Sequence, residues 1–203
     1  MEKPIFPMKE VSISQRGFTQ GSHKNLEAID INGKDTGISD FVAPCRVKVL
    51  AVLKKSTTGF NNTVLVGTCD KKGSKTAVKC ANGKELVLTF AFTHDNNIND
   101  IQVGQIFNQL EVFYQEGTVG ITSGNHGHVE IGVGWQYKKY KDKYGNWCLK
   151  DLVAADDVFW LLKDYSNICN VGLNGYNFPW TETKTVTEKT SELQEGDETM
   201  RLK

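Results

Sequence analysis

Gly124-Asn125-His126-Gly127-His128-Val129-Glu130-Ile131-Gly132 is the stretch on which the reading of this chain turns. Side chains alternate between the two faces of a strand, so His126, His128 and Glu130 share one face and Val129 and Ile131 the other. The apolar pair can face a core while two imidazoles stand together over a cleft. Glycines at 124, 127 and 132 leave backbone uncovered, which suits close approach by a metal or a substrate chain. Two neutral imidazoles on one face begin a zinc site without completing it. A half-exposed strand that happens to carry two histidines accounts for the same residues, and so short a pattern arises easily by chance. The positions of the other histidines decide between the two.

The chain has 203 residues, enough for one domain of ordinary size and a tail. Its 24 basic and 24 acidic residues cancel, so nothing in the charge points to nucleic acid or an anionic membrane as partner. No apolar run approaches the ~20 residues that span a bilayer, and no membrane insertion is expected. The start, Met-Glu-Lys-Pro-Ile-Phe-Pro-Met-Lys-Glu, lacks the apolar segment of a secretory signal. The expectation is synthesis in the cytoplasm, with any exit by a route the sequence does not encode. Five cysteines (Cys45, Cys69, Cys80, Cys148, Cys169) are odd in number and form no C-x-x-C pair. They read as reduced, mostly buried thiols, which leaves histidine and carboxylate to hold any metal.

Taken in order, residues 1–20 read as a leader packed on the domain through Val11, Ile13 and Phe18. Residues 28–31 form a short apolar strand interrupted by Asp30, a carboxylate that is expensive to bury unless it is paired or bound to metal. Alternating or β-rich strands follow at 45–52, 63–68 and 85–93, the last delivering His94 at its end, with a hairpin turn at Ala81-Asn82-Gly83. Short strands are expected at 111–114 and 118–121. A hairpin of 135–141 with 147–150 carries Tyr137, Tyr140, Tyr144 and Trp147, which either line a groove or pack across strands. Residues 152–163 read as the only helix. From 166 onward periodicity is lost, and 166–203 reads as a linker to a further module, with the domain ending near 165. The sum is a mostly β domain, antiparallel, with one short C-terminal helix.

The four histidines are His23, His94, His126 and His128, each at an expected strand edge or loop. With Asp30 they supply enough groups for a catalytic zinc centre, which takes three protein ligands. The chain resembles the lysostaphin-like zinc metallopeptidases, the glycyl-glycine endopeptidase family. The motifs that carry the likeness are His23 upstream of Ala28-Ile29-Asp30-Ile31, then Phe92-Thr93-His94, then His126-Gly127-His128-Val129-Glu130. Pro44-Cys45-Arg46-Val47 and Val103-Gly104-Gln105 match further family segments, and the likeness spans roughly residues 14–162.

That resemblance implies that His23, Asp30 and His128 bind Zn2+ and that His94 and His126 are the metal-free catalytic histidines. It departs from the family in the gap of six residues between His23 and Asp30, where common members have three; Leu26 stands where a short-gap histidine would be. By implication His126 takes a proton from water and His94 donates to the oxyanion, or the reverse. Glu130 is read as solvent-facing, with support of a ligand as its other role. The implied function is zinc-dependent hydrolysis of peptidoglycan peptide, in the catalytic domain of a phage endolysin made in the host cytoplasm and acting on the wall after release. A tail-associated lysin comes next. The competing class is a non-catalytic wall-binding or phage-tail scaffold domain that keeps the fold; degenerate relatives lose ligands, and here all five positions are filled.

Overall fold

The computed structural model describes residues 1–19, 21–33, 37–120, 122–169 and 172–182. Runs rich in β-branched and aromatic residues build the centre of the molecule. They are β1 (Ile13–Gln15), β2 (Ile29–Ile31), β3 (Val47–Leu53), β4 (Thr63–Thr68), β5 (Leu88–Thr93), β6 (Ile106–Phe107) and β7 (Gly127–Val133). These make one seven-stranded sheet in the order β6-β3-β4-β5-β7-β2-β1, with every neighbouring pair antiparallel. The mostly β, antiparallel architecture expected from the sequence is the one observed.

One face of the sheet carries Ile31, Val49, Val66, Phe90, Phe92, Val129 and Ile131 into the main core. Phe92 meets Phe113 edge-on at 5.0 Å and Phe41 at 5.6 Å, which places an aromatic cluster directly beneath the end of β5 that leads to His94. The other face holds a thinner apolar layer of Leu50, Ala51, Leu65, Ala91 and Leu149. Asp30, His128 and Glu130 lie on this second face: Asp30 pairs with His128 across β2 and β7, and His128 with Thr93 across β7 and β5. The hairpin of Tyr140–Lys141 and Trp147–Cys148 covers it.

Several expectations are corrected. Residues 152–163 hold only a four-residue helix, Ala155–Val158, and a second short helix, Lys55–Thr58, was not foreseen. The apolar residues that suggested a longer helix are needed extended. The N–H groups of Trp160, Leu161 and Lys163 are taken by the carbonyls of Pro4, Pro179 and Thr181 at 2.8–2.9 Å, so no helical ladder can continue there.

The domain also does not end near 165. Asn167–Ile168 pairs with Glu10–Val11, Trp180–Thr181 pairs with Leu161–Leu162, and Tyr176 and Phe178 lie in the main core. The remainder of the expected linker, 183–203, lies outside the described residues. Residues 118–120 form no strand; only an isolated bridge joins Gly117 to His126, and residue 121 lies outside the description. Val11 and Ile13 are buried as expected, but Phe18 is 69% exposed. Gly127 and Gly132 serve packing rather than a ligand: a Cβ at 127 would meet the Phe41 ring at 2.4 Å, and one at 132 the Lys150 carbonyl at 2.7 Å. Among the described residues no helix is long and apolar enough to cross a membrane.

Candidate metal centre

His23 ends the 3-10 turn Gly21–His23 and is fully buried. Its Nδ1 lies 3.1 Å from the Arg16 carbonyl oxygen, which can only accept, so Nδ1 carries the proton and Nε2 presents a lone pair. His128 is held in the opposite sense. Its Nε2–H donates to Glu130 Oε1 at 3.1 Å, and Nδ1 is turned toward Asp30. Three donor atoms thereby converge. His23 Nε2 and His128 Nδ1 each lie 3.0 Å from Asp30 Oδ1 and 3.1 Å from one another.

A tetrahedral zinc with bonds of about 2.0–2.1 Å separates neighbouring donors by about 3.3 Å, so this triangle accepts the ion with a few tenths of an ångström of spreading. The chemistry of the set agrees, since two imidazoles and a carboxylate are borderline ligands suited to zinc. The cluster also attracts positive charge. Burial would pull His128 down, but its hydrogen bonds to Asp30 and Glu130 outweigh burial and raise it to about 9. Asp30, despite burial, is held well below the usual carboxylate range by His128 and His23. Among the described residues, His23, Asp30 and His128 are the one group able to hold a metal ion.

His94 and His126 stand beside this cluster and outside it. Their ring centroids are 4.6 Å apart, and His94 lies 6.1 Å from His128. His94 adopts φ +98°, a conformation that side chains resist, and the fold holds it there at several points. Its N–H donates to Asn61 O at 2.9 Å, its carbonyl accepts from Val119 N at 3.1 Å, and its Nδ1–H donates to Val119 O at 2.7 Å. Gly117 lies so close that a Cβ would come within 2.3 Å of the His94 carbonyl. His126 donates Nδ1–H to Gly124 O at 3.0 Å and brings Nε2 to 3.9 Å from Asp30 Oδ2. Both rings thus spend Nδ1–H on a carbonyl and, when neutral, offer Nε2 as an acceptor. Burial lowers His94 to about 4, so at neutral pH it is uncharged.

Several solved structures resemble this chain loosely. A zinc-containing peptidase from Vibrio cholerae is 13% identical over 64% of this chain and 37% of its own length, with a TM-score of 0.41. LytU is 18% identical over 67% of this chain and 77% of its own, with a TM-score of 0.39. A chain of the SpoIIQ–SpoIIIAH pore-forming complex is 18% identical over 65% of this chain and 84% of its own, with a TM-score of 0.43. The chain spans about a third of the length of the first of these. Overlaps this loose carry no weight for the activity. No family model and no curated protein matches the sequence.

The sequence did not reveal what holds the ligands. Glu130, read as solvent-facing, is 1% exposed and forms the hub of the His128 side. Its Oε1 also takes Lys139 Nζ at 2.7 Å, and its Oε2 takes Leu149 N–H at 2.8 Å. Burial would raise this carboxyl, yet Lys139 and His128 hold it down to about 2. The i+2 spacing from His128 signalled a shared face; nothing signalled Lys139, which arrives only because the hairpin folds back. Glu116 is a second missed anchor, accepting from Gly33 N and Ser39 N at 2.9 Å each.

Tyr114 is a third. Its hydroxyl donates to Asn62 O at 2.7 Å and accepts from Asp95 N at 3.0 Å, bracing the chain on one side of His94 against the loop before β4. Tyr114→Phe strands both backbone groups in a buried site. We expect a loss of about 1–3 kcal/mol of stability, read from the urea midpoint. The aromatic hairpin does not show the expected packing across its strands. Tyr137, Tyr144 and Trp147 are exposed rather than packed on one another, and Trp147 instead meets Phe60 edge-on at 5.7 Å. A cavity of about 700 Å³ lined by Lys3, Ile5, Lys79, Gln109, Leu162 and Trp180 among others includes none of the histidines.

Proposed function

We propose that this chain is a zinc-dependent endopeptidase acting on the peptide portion of bacterial peptidoglycan. The observation that carries the reading is one arrangement: a three-donor triangle with two further histidines beside it, each with Nδ1 committed to a backbone carbonyl. A structural zinc site would close with a fourth protein ligand and would leave two oriented imidazoles without a task.

His23, Asp30 and His128 would hold the zinc. When bound, zinc supplies Lewis-acid polarisation of the scissile carbonyl and makes water acidic enough to attack at neutral pH. The protein's own part is to place groups and move a proton. Glu130 and the Arg16 carbonyl fix which nitrogen each ligand imidazole turns to the centre. His94 and His126 receive the proton released by the attacking water at Nε2 and return it to the leaving amine. Neither ring has an Nε2 proton while neutral, so donation to an oxyanion falls to whichever ring has first taken one. The motif likeness to wall-cutting endopeptidases supports peptidoglycan as the substrate, and the phage-lysin setting is part of the same proposal.

The test uses purified peptidoglycan of several cross-bridge types and the zinc-loaded protein. New amino groups without new reducing ends are expected from at least one wall type, and none from His126→Ala. Bound zinc with no amine release from any wall would contradict the enzyme reading and favour a wall-binding scaffold.

A further inference from the structure

We infer that Tyr176 is a positioning residue for the metal cluster, acting on His23 through a single peptide group; the inference rests on the zinc reading above. The peptide between Arg16 and Gly17 is hydrogen-bonded at both ends. Its carbonyl accepts His23 Nδ1–H at 3.1 Å. Its N–H donates to Tyr176 Oη at 3.1 Å in a buried setting. The Tyr176 hydroxyl in turn donates to Glu27 Oε1 at 3.4 Å. Every donor in this chain points the same way, from imidazole through peptide and phenol to a carboxylate. Hydrogen bonds in such a series strengthen one another, so the far carboxylate sharpens the acceptor that His23 sees.

The arrangement mirrors the His128 side of the cluster. There Glu130 accepts directly from the ligand ring; on the His23 side Glu27 reaches the ring through Tyr176 and a peptide bond. A carboxylate behind a ligand imidazole fixes its tautomer and raises its basicity. The space is shaped for it. A Cβ at Gly17 would come within 2.7–2.9 Å of the Glu27 carboxyl group, so a side chain there would push that carboxylate aside. Phe18 N–H to Leu26 O at 3.0 Å and Leu26 N–H to His23 O at 3.1 Å close the loop that carries the ligand. The Arg16 guanidinium lies over the Tyr176 ring, 5.0 Å from its centroid. A segment that lacks any periodicity in sequence thus supplies part of the support of the metal centre.

The test is zinc affinity of the full chain, by competition with a chelator, together with the proton NMR signal of His23 Nδ1–H. Tyr176→Phe keeps the ring and drops only the hydroxyl; about tenfold weaker zinc binding and a shifted Nδ1–H signal are expected. Glu27→Gln keeps an acceptor without the charge and should weaken zinc by a smaller factor. Tyr165→Phe removes a partly buried phenol hydroxyl that lies outside the relay, so its affinity should stay within about twofold of the parent. Parent-like affinity in Tyr176→Phe would overturn the proposal, as would an equal loss in Tyr165→Phe, which would assign the effect to a general loosening of the fold. If the parent protein itself takes up no zinc, the metal reading fails, and this one with it.

Discussion

Glu130→Ala is expected to weaken zinc binding by about 10–100-fold and to destabilise the fold by about 3–5 kcal/mol. The two losses have different origins. Zinc binding suffers because His128 loses the acceptor that keeps its Nε2–H turned away and Nδ1 toward Asp30. Stability suffers because Lys139, itself buried, is left with an unpaired ammonium, and the Leu149 N–H with no acceptor. The pair Glu130→Leu with Lys139→Met separates them. Removing both charges together should recover the part owed to the unpaired Lys139, since apolar replacements of a buried ion pair are often neutral or better, while the Leu149 N–H stays without its acceptor. Zinc affinity should stay low, because His128 remains without its acceptor. Chelator competition and urea titration on the two variants measure the two effects independently. Parent-like zinc affinity in the double variant would show that Glu130 does not orient the ligand.

Alanine at His94 or at His126 is expected to lower kcat by about 10²–10⁴-fold while a full equivalent of zinc stays bound. Neither ring belongs to the donor triangle, and each offers Nε2 as a proton acceptor. Their centroids are 4.6 Å apart, close enough to share the one proton path proposed, and the double variant should fall by less than the product of the single losses. His94→Ala should also relieve little strain. The positive φ there is imposed by Asn61, Val119 and Gly117, and alanine tolerates that conformation no better than histidine. Loss of zinc in either single variant would place that histidine among the ligands and undo the division of labour.

Much of the site was legible because strand geometry carries it. Alternation along β7 put His128 and Glu130 on one face, and the register that pairs Asp30 with His128 then follows from ordinary antiparallel pairing. β4 was legible to the residue, since Thr63–Thr68 is a clean β-branched run. The failures share a cause: they depend on partners distant in the chain. The stretch 152–163 has apolar residues that suit a helix, yet pairing with residues 4, 179 and 181 takes its backbone N–H groups. Residues 172–182 show no period at all, and Tyr176 and Phe178 anchor them as isolated aromatics that pattern reading cannot rank as core. Glu130 was misread for a related reason. A glutamate on a strand is usually wet, and only the returning hairpin, with Lys139 and Leu149, makes its burial possible.

Zinc stoichiometry and affinity on the chelator-stripped chain, set beside His128→Ala and His94→Ala, decide whether the donor triangle holds the metal. The geometry predicts one zinc per chain, lost in His128→Ala and retained in His94→Ala. Absence of zinc from the parent protein, or its retention in His128→Ala, would contradict the assignment of His23, Asp30 and His128 as the metal centre.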